Sequence, residues 1–411
     1  MKQGKPVVLA INGGSSSIKF TLYRMSDPLE RWLHGKVDRI GLHDATLTFD
    51  DLERNQHDSR SIGECDHRSA ANYLIDWLDQ QAGLASIAVV GHRIVNGGAN
   101  YNEPQRVTPA LLDALRRISA YAPVHLPAEI ALIDLLRERV PGLPQVACFD
   151  TAFHRDMPQV AKILPLPRRF QAQGVERYGF HGLSYTFLME ELTRVAGVVA
   201  AHGRVILAHL GNGASLAAVR GGKSIDTSMG FTPTAGVLMG TRCGDLDPGL
   251  VWYLAQTEHM SAEQFHHMVN HESGLLGVSE TSADLRDLLA READDVRAAE
   301  AVTLFCYQIK KYIGAYAAAL GGLDTLVFAG GIGENAAVVR ARSCEGLEFL
   351  GIEIDKKRNT ANADVISTQA SRVTVRVMHT DEEVMLAKLA CRALGLATEK
   401  ENERGRENGK S

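Results

Sequence analysis

At 411 residues the chain is too long for one ordinary core, and at about 100–200 residues per domain it calls for two or three. Apolar residues make up 45% and charged residues 23%, the mix of an ordinary globular protein, which excludes disorder of the whole chain. Lys+Arg is 44 against 49 Asp+Glu, a formal charge of -5, so no general basic face for nucleic acid is expected, while a local pocket for a small anion is not excluded.

The N-terminal MKQGKPVVLAINGG has an apolar run too short for a signal-peptide core. No apolar run of about 18 residues occurs, so no membrane helix is expected. The cysteines Cys65, Cys148, Cys243, Cys306, Cys344 and Cys391 are scattered without a C-x-x-C pair, which reads as free thiols in a reducing, cytoplasmic compartment.

In chain order, VVLAIN and IKFTLY read as two strands of a hairpin joined through Gly13 and Gly14. IAVVGHRIV is a further strand. Pro109 opens an amphipathic helix with Leu111, Leu112, Leu115 and Ile118 on one face, and a second helix begins at Pro127. QVACF is a short buried strand ending at Asp150. In the second half RVILAHL and SLAAVR flank GNGAS, repeating the opening layout and suggesting two related domains. A long helix is expected from about Glu300 to Leu320. TLVFAGGIGEN then reads as strand, glycine turn and helix start, and VTVRVM as a last strand. Thr380 and Glu383 read as a capping box for a final helix, Asp381 to about Leu394. The mixture points to the α/β class.

Three glycine-rich turns follow strands, at Asn12–Ser17, Gly211–Ser215 and Gly330–Asn335. Such turns let backbone N–H groups approach an anion, although any one of them could be only a tight turn. A standard P-loop is absent, because its first glycine would fall on Ala217, and no G-x-G-x-x-G opens a helix. Arg93 in GHRIVNGG, Arg242 in MGTRCGDLDP, His181 in YGFHGLSY and Asp150 in FDTAFH stand at strand ends or in glycine-rich loops, where α/β proteins place ligands. Each arginine could merely pair with a nearby aspartate. Together they fit transfer between anions, where charge neutralisation and alignment matter more than covalent chemistry.

NGGSSSIK, GHRIVNGG, APVHLPAEI, FDTAFH, YGFHGLSY, HLGNGAS, DTSMGFTPTAGVLMGTRCGD, VFAGGIGEN and TDEEVMLA, in that order, make the chain resemble the acetokinase family of short-chain carboxylate kinases, from Val7 to about Leu394. The resemblance implies two actin-like (ribonuclease H-like) α/β domains closing over a nucleotide cleft. Residues 1–150 with a returning helix 383–396 would form one domain and 151–382 the other, with 397–411 a disordered tail. It implies ATP and a short carboxylate, acetate foremost, as substrates, Mg²⁺ or alternatively Mn²⁺ as the metal, and a homodimer without nucleic-acid or membrane partners. Asn12 and Glu382 would hold the metal. Lys19 and the Ser15–Ser17 turn would contact nucleotide phosphates, and His209, Leu210, Gly211, Asn212 and Gly213 would form a second phosphate loop. Asp284, Leu285 and Arg286, with Gly331, Ile332, Gly333, Glu334 and Asn335, would bind adenosine and the remaining phosphates. Arg93 would hold the carboxylate, His125 lies in the same pocket, and Val95, Val124, Phe180 and Pro233 would wall the acyl methyl. Arg242 and His181 would stabilise the transferring phosphoryl group. Asp150 would align the acceptor or act as a base. Asn96, Leu126, Leu183, Tyr185, Ala235 and Cys243 depart from the residues usual in the family. A propionate- or butyrate-preferring kinase of the same family is the nearest alternative. A nucleotide-gated scaffold and a sugar kinase are the others.

Overall fold

The computed structural model describes residues 6–14, 16–123 and 125–396. The chain is mixed α/β, as the sequence predicts, and divides into two compact units: one takes the described residues of Met1–Ala152 and Asp381–Ser411, the other Phe153–Thr380. Among the described residues no helix is long and apolar enough to cross a membrane.

The first unit holds eight strands: β1 (Val7–Gly13), β2 (Ile18–Arg24), β3 (Glu30–Asp38), β4 (Ala45–Asp51), β5 (Gln56–Gly63), β6 (Ile87–Ile94), β7 (Gln105–Arg106) and β8 (Gln145–Phe149). They form one sheet in the order β5-β4-β3-β2-β1-β6-β8-β7. The predicted hairpin is present, with β1 antiparallel to β2 from Val7↔Arg24 to Gly13↔Ile18, and β1, β6 and β8 run parallel. Val7, Leu9 and Ile11 project to one face, where Phe20, Trp77 and Leu132 join the same core. Trp77 comes from the helix His67–Ala82, capped by Asp66, and Leu132 from the helix Leu126–Arg139. The helix at Pro109 runs to Arg117 and is capped by Thr108, whose side chain accepts the Leu111 N–H.

The opposite face carries the alternate β1 residues Val8, Ala10 and Asn12, since successive strand residues point to opposite faces. The returning helix Glu382–Ala393 packs there against β1, β6 and β8. Gly91, opposite Ala10 in the ladder, sets the approach: a Cβ there would stand 2.9 Å from the Leu386 carbonyl oxygen and 3.2 Å from the Ala390 Cβ. Only glycine lets the helix lie this close, and the helix brings Glu382 to the end of β1.

The cap of this helix differs from the expected capping box. Asp381 is the N-cap, its carboxylate accepting the Val384 N–H at 2.9 Å, and it also pairs with Arg31. A carboxylate is the stronger acceptor at a helix N-terminus. Thr380 instead hydrogen-bonds Ser184 Oγ at 2.7 Å.

The second unit holds β9 (Arg204–Leu210), β10 (Ala214–Arg220), β11 (Lys223–Thr227), β12 (Thr325–Ala329) and β13 (Thr374–Val377), in the order β11-β10-β9-β12-β13. β9, β10 and β11 are antiparallel neighbours, and β9, β12 and β13 are parallel. The run β3-β2-β1-β6-β8 of the first unit has the same order and directions. The repeated strand–glycine turn–strand pattern is thus a repeated topology. The long helix runs from Val296 to Leu320, capped by Asp295, and buries Val302, Phe305, Ile309, Ile313 and Tyr316. Tyr312, on the same helix, is half-buried and donates its hydroxyl to Asp245 Oδ2 at 2.5 Å.

Candidate active site

In the first unit the expected residues gather at the C-terminal ends of β6 and β8. The Asp150 N–H donates to the Ile94 carbonyl at 2.9 Å, which brings the two strand ends together. Arg93 Nε and Nη2 then donate to Asp150 Oδ2 at 2.9 and 2.6 Å. Its Nη1 lies 3.7 Å from Glu129 Oε1. Glu129 was not singled out in the sequence, where APVHLPAEI reads as the start of an amphipathic helix. It is 2% exposed, and its other oxygen, Oε2, accepts the Val95 N–H at 3.0 Å. One buried carboxylate therefore touches both the arginine and the backbone of the expected apolar wall. A guanidinium has five N–H donors in a fixed fork. Asp150 takes the Nε/Nη2 edge and Glu129 faces Nη1, so one N–H on each terminal nitrogen remains for a bidentate anion.

This cluster sets three acidic side chains around one guanidinium. Burial opposes the charge on Arg93, but Asp150, Glu129 and Glu382 outweigh it and hold the guanidinium protonated. Burial pushes the Glu129 carboxyl up to about 8, against the pull of Arg93. Glu382, half-buried, is pushed up to about 7, by burial first and then by the Asp150 charge. Asp150 Oδ1 and Glu129 Oε1 are buried without a hydrogen-bond partner among the described residues. Among these residues no three His, Cys, Asp or Glu side chains form a ready metal cage. A hard cation that keeps most of its water needs fewer protein ligands, and carboxylate and amide oxygens are its donors. The orphaned Asp150 oxygen and the desolvated Glu382, with Asn12 on the same face of β1, fit such an ion.

Val95 is buried directly after β6, and His125 is the N-cap residue of the helix Leu126–Arg139. Lys19 is exposed on β2 and lines a cleft of about 280 Å³ with Arg31, His34, Lys36, Asp50 and Glu383. Val124 and Ser15 lie outside the described residues.

In the second unit a cavity of about 640 Å³ unites three segments far apart in sequence. Its wall includes Gly211 and Asn212 after β9, Asp284, Leu285 and Arg286 at the start of the helix Leu285–Arg291, and Gly331, Ile332 and Asn335 after β12. Gly240, Leu275, Ala283, Leu289 and Ala336 complete it. None of these five bears a chemical group that a sequence pattern would flag. The volume falls within the usual range for small-ligand sites, about 300–1,000 Å³. Glycines make the wall close: at Gly330, φ 76°, a Cβ would stand 2.7 Å from the Leu210 carbonyl oxygen, and at Gly240 it would stand 2.2 Å from Asn212 Oδ1.

Other expected residues frame this cavity without lining it. Leu210 and Gly333 are buried. Glu334 ties the turn, accepting from the Gly330 N–H at 3.0 Å and facing His379 Nδ1 at 2.9 Å. Arg340, missed in the sequence, is 0% exposed. It donates five hydrogen bonds of 2.6–3.0 Å, to the Gly333 and Glu334 carbonyls and to Asn359 and Asn362 oxygens. It thereby pins the 331–335 turn from behind.

His181 and Arg242 meet beside Gly213, where a Cβ would stand 3.3 Å from His181 Nε2 and 3.9 Å from Arg242 Nη1. Arg242 Nη1 also donates to the Pro233 carbonyl at 3.2 Å. The His181 ring lies 4.3 Å from the His209 ring, centroid to centroid, and His209 Nδ1 bonds Ser184 Oγ at 2.8 Å. Phe180 is buried, and its carbonyl accepts from His154 Nε2 at 3.1 Å.

The Acetokinase family model matches residues 7–388. The propionate kinase of Citrobacter rodentium is 44% identical over 387 residues, spanning 93% of this chain and 95% of that protein. The acetate kinase of Rhodopseudomonas palustris is 44% identical over 387 residues, spanning 93% and 97%. The crystal structure of Porphyromonas gingivalis acetate kinase matches with a TM-score of 0.86 at 37% identity, covering 95% of this chain and 100% of that one.

Arg340→Met keeps the volume but leaves buried carbonyls unpaired. It should destabilise the protein by about 3–5 kcal/mol, read as a lower urea midpoint. An unchanged midpoint would show that the turn does not depend on it.

Proposed function

The chain belongs to the acetokinase family and is a phosphotransferase with a carboxyl acceptor, and from that premise we propose that it reversibly transfers the γ-phosphoryl group of ATP to acetate, giving acetyl phosphate and ADP. The observation that carries the acceptor is Arg93, held by Asp150 and Glu129 with its terminal N–H groups left for a carboxylate.

A short carboxylic acid is ionised at neutral pH, since its pKa lies near ~4. Its oxygen is already a nucleophile, and no base is required in the forward direction. The obstacle is repulsion between two anions and their alignment. Arg93 grips the carboxylate, and Asp150 orients Arg93. Arg242 and His181, which meet beside Gly213, donate to the oxygens of the transferring phosphoryl group. The cavity of the second unit takes adenosine, with Asn212 and Gly331 offering backbone N–H groups to phosphates. Mg²⁺, held by Glu382 and Asn12, would screen phosphate charge. Val95, buried directly after β6, walls the methyl group on the side of the first unit. Relatives named acetate kinase and propionate kinase are equally similar, at 44% identity, so propionate stands as the second reading.

Two further features belong to this proposal. The helix Gly249–Thr257 buries none of its residues and exposes Trp252 at 71% and Tyr253 at 59%, which supports a homodimer that covers them. Six unpaired cysteines support the cytoplasm.

The test is hydroxylamine-trapped acyl phosphate formed with ATP and Mg²⁺ from acetate, propionate or butyrate. We expect kcat/KM to be highest for acetate, and Arg242→Ala to lower kcat by about 10²–10³-fold with ADP still bound. A propionate preference would move the substrate, and no product from any acid would overturn the proposal. Sedimentation should give a dimer that Trp252→Glu dissociates; a monomeric wild type would remove the interface.

A further inference from the structure

His181 is the N-cap residue of the helix Gly182–His202 and has left-handed backbone angles, φ 58° and ψ 25°. One turn on, the Tyr185 N–H donates to the His181 carbonyl at 3.0 Å. The Tyr185 hydroxyl lies 2.5 Å from Ser215 Oγ, and Ser215 Oγ lies 2.9 Å from His181 Nδ1. Tyr185 and Ser215 are both 0% exposed, and among the described residues neither hydroxyl has another partner.

The proton order in this chain is fixed by counting. Two hydroxyls bring two protons to two links. If Nδ1 carried a hydrogen, it would donate to Ser215, and only one hydroxyl proton could then be used between Tyr185 and Ser215. The other would be buried unpaired, which costs about 1–3 kcal/mol. With Nδ1 bare, Tyr185 donates to Ser215, Ser215 donates to Nδ1, and every proton is placed. The ring hydrogen is then on Nε2, the atom facing the Gly213 position beside Arg242.

We propose that Tyr185 is a positioning residue that acts through Ser215 to hold His181 as its Nε2–H tautomer, so that a neutral donor stands beside the Arg242 cation. Its catalytic consequence rests on the reading of His181 as a phosphoryl contact. The arrangement supplies one charge and one neutral hydrogen bond on the same side of Gly213, both set before substrate arrives. A tyrosine at position 185 thereby has a function, where family resemblance registers only a departure.

The tautomer is read directly by ¹⁵N-histidine NMR of the wild type. His181 should show a bare Nδ1 and a protonated Nε2; a protonated Nδ1 overturns the proposal. Tyr185→Phe keeps the ring and removes the hydroxyl. It should lower kcat by about tenfold, the worth of one hydrogen bond, with KM for carboxylate and ATP within about twofold. A variant that only loses stability, with kcat unchanged, overturns it as well. If Tyr185→Phe does not fold, Ser215→Ala breaks the same relay and is read by the same criteria. A wild type that makes no acyl phosphate would remove the functional reading alone, and the NMR result would still decide the tautomer.

Discussion

The charged arginine at the end of β6 is the constraint on which the first unit turns. A guanidinium cannot shed its proton, so burying one obliges the fold to surround it with acceptors. Asp150 arrives from β8, Glu129 from the helix Leu126–Arg139, and Glu382 from the returning helix near the end of the chain. Three carboxyl groups stand around one cation, burial pushes two of them, Glu129 and Glu382, up toward neutral pH, and among the described residues Asp150 Oδ1 and Glu129 Oε1 are without hydrogen bonds. Such a cluster is poised for additional positive charge. It also explains why the chain must come back at residue 381: without the last helix, packed over Gly91, the cluster would lack Glu382.

The second unit solves a different problem with different means. Its cavity combines glycine and alanine positions with leucine, isoleucine, asparagine, Asp284 and Arg286 side chains, and its shape depends on how closely loops approach. Gly330 and Gly240 permit that approach, and Arg340 fixes the turn after β12 through neutral oxygens. Burial lowers the Arg340 pKa to about 10, and five hydrogen bonds compensate for the missing counter-charge. His181 and Arg242 meet beside Gly213 and do not line the cavity.

Much of this was readable in advance, for identifiable reasons. VVLAIN, QVACF and RVILAHL are continuous apolar runs, and parallel central strands have that composition. Pro109 and the 296–320 stripe follow helix rules. β3, β4 and β5 are less legible because polar residues interleave the buried ones, as in ERWLHGKVD and ATLTFDD, and β5 is QHDSRSIG and mostly exposed. The helix Gly182–His202 was hidden behind YGFHGLSY, whose glycines and aromatics read as a loop. Arg93 and Asp150 were legible from strand ends and glycines. Glu129 was not, because a glutamate in the first turn of a helix has an ordinary explanation in the helix dipole. Arg340 was not, because an arginine within AVVRARSC reads as a solvated helix residue, and only the tertiary fold buries it.

The central claim is that a carboxylate binds to the free edge of a pinned guanidinium, and Arg93→Lys tests it most directly. Lysine keeps the charge that Asp150 and Glu129 require but cannot present two parallel N–H groups. The account predicts that KM for acetate rises by about tenfold or more, the worth of one charge-assisted hydrogen bond, while KM for ATP is unchanged. An acetate KM equal to that of the wild type would contradict it.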